Sequence, residues 1–130
     1  MSKVLNESSK ELLMTNTLPN DLALDFTSLL LAGKVEAAAD NHWATNVTIF
    51  KPSLVRGEAC EQVCGFTAAR GSLSTWLSHN KIEDISIDSP FVTGYQFALF
   101  IDMQIVDLAS GKPRNFSEIA TFIMLGNKIV

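Results

Sequence analysis

Asn115-Phe116-Ser117-Glu118-Ile119-Ala120-Thr121-Phe122 is the stretch on which the fold of this chain turns. Successive side chains of a β-strand point to opposite faces, so Phe116, Glu118, Ala120 and Phe122 share one of them. A carboxylate in that apolar row marks a binding cavity or needs a buried partner, because an unpaired charge is costly away from water.

The same alternation continues on both sides. Ile82 to Asp88 alternates, Pro90 and Gly94 break the run, and Tyr95 to Asp107 reads as a long strand. Ala109-Ser110-Gly111-Lys112-Pro113 is a turn, Arg114 to Leu125 the next strand, Gly126-Asn127 a further turn, and Lys128-Ile129-Val130 opens one more strand. The last third of the chain is therefore an antiparallel meander.

Upstream, the apolar spacing lengthens to a helical one. Leu18-Pro19-Asn20-Asp21 starts a helix, with Asn20 or Asp21 available as its cap. Leu22, Phe26, Leu29 and Leu30 fall on one face, and Gly33 supplies the stop. A second short helix from Lys34 to about Trp43 would bury Val35, Ala38, Ala39, His42 and Trp43. Thr45 to Lys51 is rich in β-branched residues and reads as a strand that Pro52 ends. A third helix is expected from about Glu58 to Arg70, with Ala59, Val63, Phe66 and Thr67 on its face. Gly71 and Ser72 interrupt it before another helical turn at Leu73 to Leu77.

Met1 to Thr17 reads as a flexible leader, which leaves residues 18–130 as a single domain. Helices early and a meander late predict an α+β fold, with a curved antiparallel sheet wrapped over about three N-terminal helices. Such a sheet leaves a cone whose mouth is a natural ligand site.

Composition narrows the functions. With 47% hydrophobic and 18% charged residues in 130, the chain is globular and long enough to bury a core. A net charge of -4, only 10 Lys and Arg and no basic run argue against nucleic acid as a partner. No apolar run reaches the roughly 20 residues of a membrane span, and the start of the chain lacks a secretory pattern. A cytoplasmic protein is expected. Cys60 and Cys64 with the distant His42 and His79 do not make a zinc set, and nothing calls for a cofactor.

Several of these segments, in order, resemble one family. Gly57-Glu58-Ala59, Ser89 to Ala98, Gly111-Lys112-Pro113-Arg114, Glu118-Ile119-Ala120 and Gly126 to Val130 are similar to SnoaL-like domains of the nuclear transport factor 2-like (cystatin-like α+β barrel) superfamily. The resemblance runs from about Leu22 to Val130. Relatives include ketosteroid isomerase, polyketide cyclases, epoxide hydrolases, scytalone dehydratase and non-catalytic binding modules, so fold alone does not fix activity.

The resemblance implies an inward face made of Val47, Ile49 and Lys51 on the first strand, Phe97, Leu99, Ile101 and Met103 on the long strand, and Phe116, Glu118, Ala120 and Phe122 on the next. With Phe26 and Trp43 these would line the pocket. Phe100, Ala98, Ile119 and Ile123 leave apolar positions on the other face, which implies a homodimer through the outer side of the sheet.

In ketosteroid isomerase a carboxylate base precedes a proline at the end of the first strand. Lys51, ahead of Pro52, stands there in this chain. Phe26 falls near the oxyanion-stabilising tyrosine and has no hydroxyl, while Glu118 or Ile119 falls near the protonated acid. Steroid-type isomerisation by that mechanism is therefore not expected. An epoxide-hydrolase site would need an Arg-x-Asp, and Phe100-Ile101-Asp102 has no arginine.

What remains is Glu118 with Lys51 or His42. They would act as an acid–base pair on a carbonyl compound, or else Lys51 and Glu118 form a structural ion pair and His42 is a packed core histidine. The readings that stand are a domain binding a small, mostly apolar organic molecule, a small isomerase, cyclase or dehydratase, and a dimerisation module with no ligand.

Overall fold

The computed structural model describes the backbone of residues 19–51 and 61–130. The leader expected at Met1–Thr17 lies outside these residues. Helix α1 (Pro19–Leu31) opens on Pro19, whose fixed φ and missing N–H suit the first helical position. Asn20 and Asp21 consequently sit inside the first turn and do not cap it. Leu22, Ala23, Phe26, Thr27 and Leu30 are buried, the spacing of one helix face. The chain reverses at Gly33, where φ is +77°, and the amides of Gly33 and Lys34 bond back to the carbonyls of Leu30 and Leu29 at 3.0 and 2.9 Å. Helix α2 (Val35–His42) then buries Ala38 and Ala39.

Strand β1 (Thr48–Lys51) pairs antiparallel with β2 (Glu61–Cys64) in a separate two-stranded sheet, Ile49 opposite Val63. This corrects the helix expected from Glu58: residues 61–64 are extended, and the helix starts at Phe66. Gly65 at φ +89° makes the break. Its amide bonds to Val47 O at 2.7 Å and that of Phe66 to Thr45 O at 2.9 Å, which ties the end of β2 back to the approach to β1.

Helix α3 (Phe66–His79) passes unbroken through Gly71 and Ser72, against the expected interruption. A glycine in a helix interior costs about 1 kcal/mol relative to alanine, and tertiary contacts offset it. Arg70 Nε donates to Asp40 Oδ1 at 2.7 Å, its Nη1 to Ser74 Oγ at 2.6 Å, and its Nη2 to Glu36 Oε2. One guanidinium thus fastens α3 to α2. Both carboxylates are half exposed, so the clamp is worth less than a buried pair. Arg70→Ala should lower stability by about 1 kcal/mol, and urea unfolding with Asp40→Asn as the second arm of a double-mutant cycle measures the coupling.

The main sheet has the order β3-β4-β5-β6, with β3 (Asn80–Thr93), β4 (Gln96–Asp107), β5 (Pro113–Leu125) and the short β6 (Lys128–Ile129) all antiparallel. β3 does not stop at Pro90. Its register shifts between Asp88 and Phe91, and pairing resumes to Thr93, as an edge strand permits for a residue with no N–H. Gly94, at φ +55°, and Tyr95 make the two-residue hairpin turn that follows.

The inner face of this sheet packs on α1. Phe97 lies opposite Phe122 in the ladder and stacks on it at 4.6 Å, and Phe26 meets both edge-on, 5.2 Å from Phe122 and 6.1 Å from Phe97. Leu99, Ile101, Met124 and Ile129 extend the same core. β6 also reaches the helical layer: Trp43 forms a parallel bridge with Ile129, and Ala44 N donates to Ile129 O at 2.8 Å. No helix among the described residues is long and apolar enough to cross a membrane.

Candidate functional site

Alternation along β5 places Phe116, Ala120, Phe122 and Met124 against the core and leaves Ser117, Ile119, Thr121 and Ile123 exposed. Glu118 belongs to the inner set. Its cross-strand neighbour is Ile101, which is only 5% exposed. Unlike Phe116, Ala120, Phe122 and Met124, Glu118 is itself exposed, yet the protein on one side of the carboxyl raises its pKa above the ordinary value by desolvation. Among the described residues no hydrogen bond or ion pair engages it. Lys51 stands at the end of β1, and its side chain, with the expected Lys51–Glu118 pair, lies outside what the structure describes.

The anticipated pocket residues divide by depth. Phe26, Phe97, Leu99 and Ile101 are buried, and Met103, Phe116, Ala120, Phe122, Trp43 and Ile49 are half-buried. The aromatic end of the inner face is filled by the packing of Phe26, Phe97 and Phe122, and Glu118 lies four residues down β5 from Phe122, about 13 Å along the strand. The residues around the carboxylate on its own face are Ile101, Phe116 and Ala120. All three are apolar and, among the described residues, bring no competing charge.

His42 is not brought to Glu118. It sits at the aromatic end, its ring edge-on to Phe26 at 6.0 Å, with Nε2 2.5 Å from Asp25 Oδ2. The histidine side chain is 12% exposed and the aspartate 62%, so the pair runs from the core edge to solvent. Sequence reasoning missed Asp25. It stands on the exposed side of α1, one residue before buried Phe26, and only the packing of α2 against α1 brings it to His42. A carboxylate holding one imidazole nitrogen leaves the other free to accept or donate a proton.

Two hollows contribute less to this site than their size implies. One of about 790 Å³ lies between the α1–α2 turn, the end of α3 and the start of β3, lined among others by Leu31, Val35, Leu77 and Ile82. Another of about 480 Å³ touches Glu118 and Ile101 but is otherwise walled by Asp88, Phe100, Asp102, Ser117 and Ile119, residues of the outer face. Among the described residues no cluster of His, Cys, Asp and Glu is arranged to hold a metal ion.

Solved structures share this architecture. A provisionally assigned SnoaL-like polyketide cyclase from Mesorhizobium loti superposes with a TM-score of 0.76 at 25% identity, over 87% of this chain and 94% of that one. A nuclear transport factor 2-like protein from Anabaena variabilis matches at 0.62 and 18% identity, over 98% of this chain and 90% of that one. TerC, co-crystallised with polyporic acid, matches at 0.67 and 12% identity, over 86% of each chain. No protein-family model matches the chain, and no curated protein matches it.

Proposed function

We propose that this SnoaL-like domain, with its nuclear transport factor 2-like fold, binds a small, mostly apolar organic molecule in a cone-shaped pocket against the inner face of β4 and β5. The observation that carries the reading is Glu118: an exposed acid without a partner among the described residues, partly desolvated at its carboxyl, and set beside Ile101, Phe116 and Ala120. A carboxylate held in that state costs stability and is suited to one hydrogen bond or proton transfer with a bound ligand. The co-crystallisation of TerC, a distant structural neighbour, with polyporic acid supports planar, oxygen-bearing aromatics as the first ligand class to try.

The test is an NMR titration of the whole chain with a panel of small aromatic ketones and quinones. Shifts centred on the amides of Ile101, Phe116, Glu118 and Ala120 support the pocket; shifts confined to Phe100, Ile119 and Ile123 on the other face overturn it.

A second reading is an isomerase, cyclase or dehydratase in which Glu118 works with Lys51 or His42. The Asp25–His42 contact supports acid–base chemistry at the aromatic end, apart from Glu118, since an imidazole oriented by a carboxylate is a competent proton carrier. Turnover that falls about 100-fold or more in Glu118→Gln, with ligand affinity retained, supports catalysis. Unchanged turnover removes Glu118 from the chemistry.

The domain also pairs with itself through the outer face of the sheet in this reading. Phe91, Phe100, Ile119 and Ile123 are exposed there and form an apolar patch of the kind that supports association. A dimerisation module with no ligand is the outcome if the titration is silent and the dimer forms.

A further inference from the structure

We infer that the two copies of this chain meet by only half of the outer sheet face, offset along the strands so that the apolar halves overlap and the acidic halves stay in water. The inference rests on the dimer reading above and adds which surface is covered and why.

The outer face of β3, β4 and β5 is divided by cross-strand rows. The ladder aligns Thr93, Gln96 and Ile123 in one row, and then Phe91, Ala98 and Thr121 in the next. The following row, Asp88, Phe100 and Ile119, is mixed. Beyond it come Ser86, Asp102 and Ser117, and then Asp84, Gln104 and Asn115. The division falls at the Asp88 row. On one side Phe91 and Phe100 meet edge-on at 5.3 Å, a preorganised aromatic pair flanked by Ile119 and Ile123. On the other side Asp84, Asp88 and Asp102 project from neighbouring positions, and the one cation in the next row, Lys81, lies 3.7 Å from Glu83 and pairs with none of the three among the described residues. Asp102 accepts a hydrogen bond from Ser117 Oγ at 2.5 Å, and a polar hollow of about 250 Å³ lies beside it.

Like charges decide the offset. Full face-to-face overlap about a two-fold axis at the middle of the sheet would set each acidic half near the apolar half of the other copy, desolvating its carboxylates without a cation. An axis in the acidic half would oppose carboxylate to carboxylate. An axis in the apolar half avoids both. The surface available there is sufficient: Phe91, Phe100, Ile119 and Ile123, with Tyr95 and Leu125 at the same end, are 40 to 70% exposed. Together they present on the order of 600–700 Å², close to the roughly 800 Å² per partner of a standard interface. A self-complementary apolar patch with its charges to one side fits a second copy better than a basic partner, which would be drawn to the aspartates.

Sedimentation velocity on the whole chain tests this with two surface variants, each checked for wild-type circular dichroism. Ile119→Asp should weaken the dimer by roughly a hundredfold, as loss of a central interface residue does, while Gln104→Arg should leave the dissociation constant unchanged. Wild-type dimerisation should also be insensitive to salt. A dimer that Gln104→Arg disrupts, or that tightens markedly as salt screens facing carboxylates, overturns the offset while leaving the outer-face dimer intact. A wild-type monomer, or a dimer that Ile119→Asp does not weaken, overturns the dimer reading itself.

Discussion

Phe97→Ala should destabilise the protein by about 3–5 kcal/mol, the largest effect expected of any single substitution here. Phe97 is 1% exposed, stacks on Phe122 at 4.6 Å with an interplanar angle of 15°, and meets Phe26 edge-on. Its removal costs the transfer of the ring and leaves a cavity that the two remaining aromatics cannot both close, because each is fixed by its own helix or strand. Urea unfolding measures the loss; a value under about 1 kcal/mol would mean that α1 shifts to refill the space. Phe97→Leu keeps most of the volume and should cost less, which separates the cavity from a general disruption of β4.

Glu118→Leu should raise stability by about 1 kcal/mol at neutral pH, a modest figure because solvent still reaches the carboxyl. The sign follows from titration. Burial lifts the folded-state pKa above its ordinary value, so the folded form holds this proton more tightly than the unfolded chain does. The favourable contribution is complete below the ordinary carboxylate pKa and is lost as pH rises through the raised folded value. The stability gap between Glu118→Gln and wild type should therefore be smallest in acid and widen towards neutrality. Thermal melts of the variants across pH 4 to 8 (about half-unit steps suffice) read it directly. A Glu118→Leu protein that melts lower than wild type at neutral pH would show that the carboxylate has a structural partner, and the ligand reading would lose its main support.

The meander was legible because alternation over a long run admits one explanation. Phe97, Leu99, Ile101 and Met103 turn inward, whereas Glu118, which pairs with Ile101 in the ladder, is exposed. The first two helices were legible for the same reason, each having one apolar face closed by a turn or glycine. Residues 61–64 were not. Val63 and Phe66 fit a helical stripe as well as a strand, and only the long-range ladder from Thr48↔Cys64 to Lys51↔Glu61 decides between them. Gly71 misled in the opposite direction, since the Arg70 contacts that keep α3 continuous reach 30 and 34 residues back along the chain. The Asp25–His42 contact has no local signature at all: a solvent-side aspartate gains a partner only when two helices dock.

The order of elements has a consequence for biosynthesis. The helices that bury Leu22, Phe26 and Leu30 precede the strands that cover them, Phe97 and Phe122 among these. A ribosome moving from the amino end therefore releases an amphipathic helical pair that has nowhere to dock until the final hairpins emerge. Those hairpins need only short loops to close, so they zip locally and quickly. The exposed interval belongs to the nascent helices, where an apolar stripe would engage chaperones before the sheet arrives.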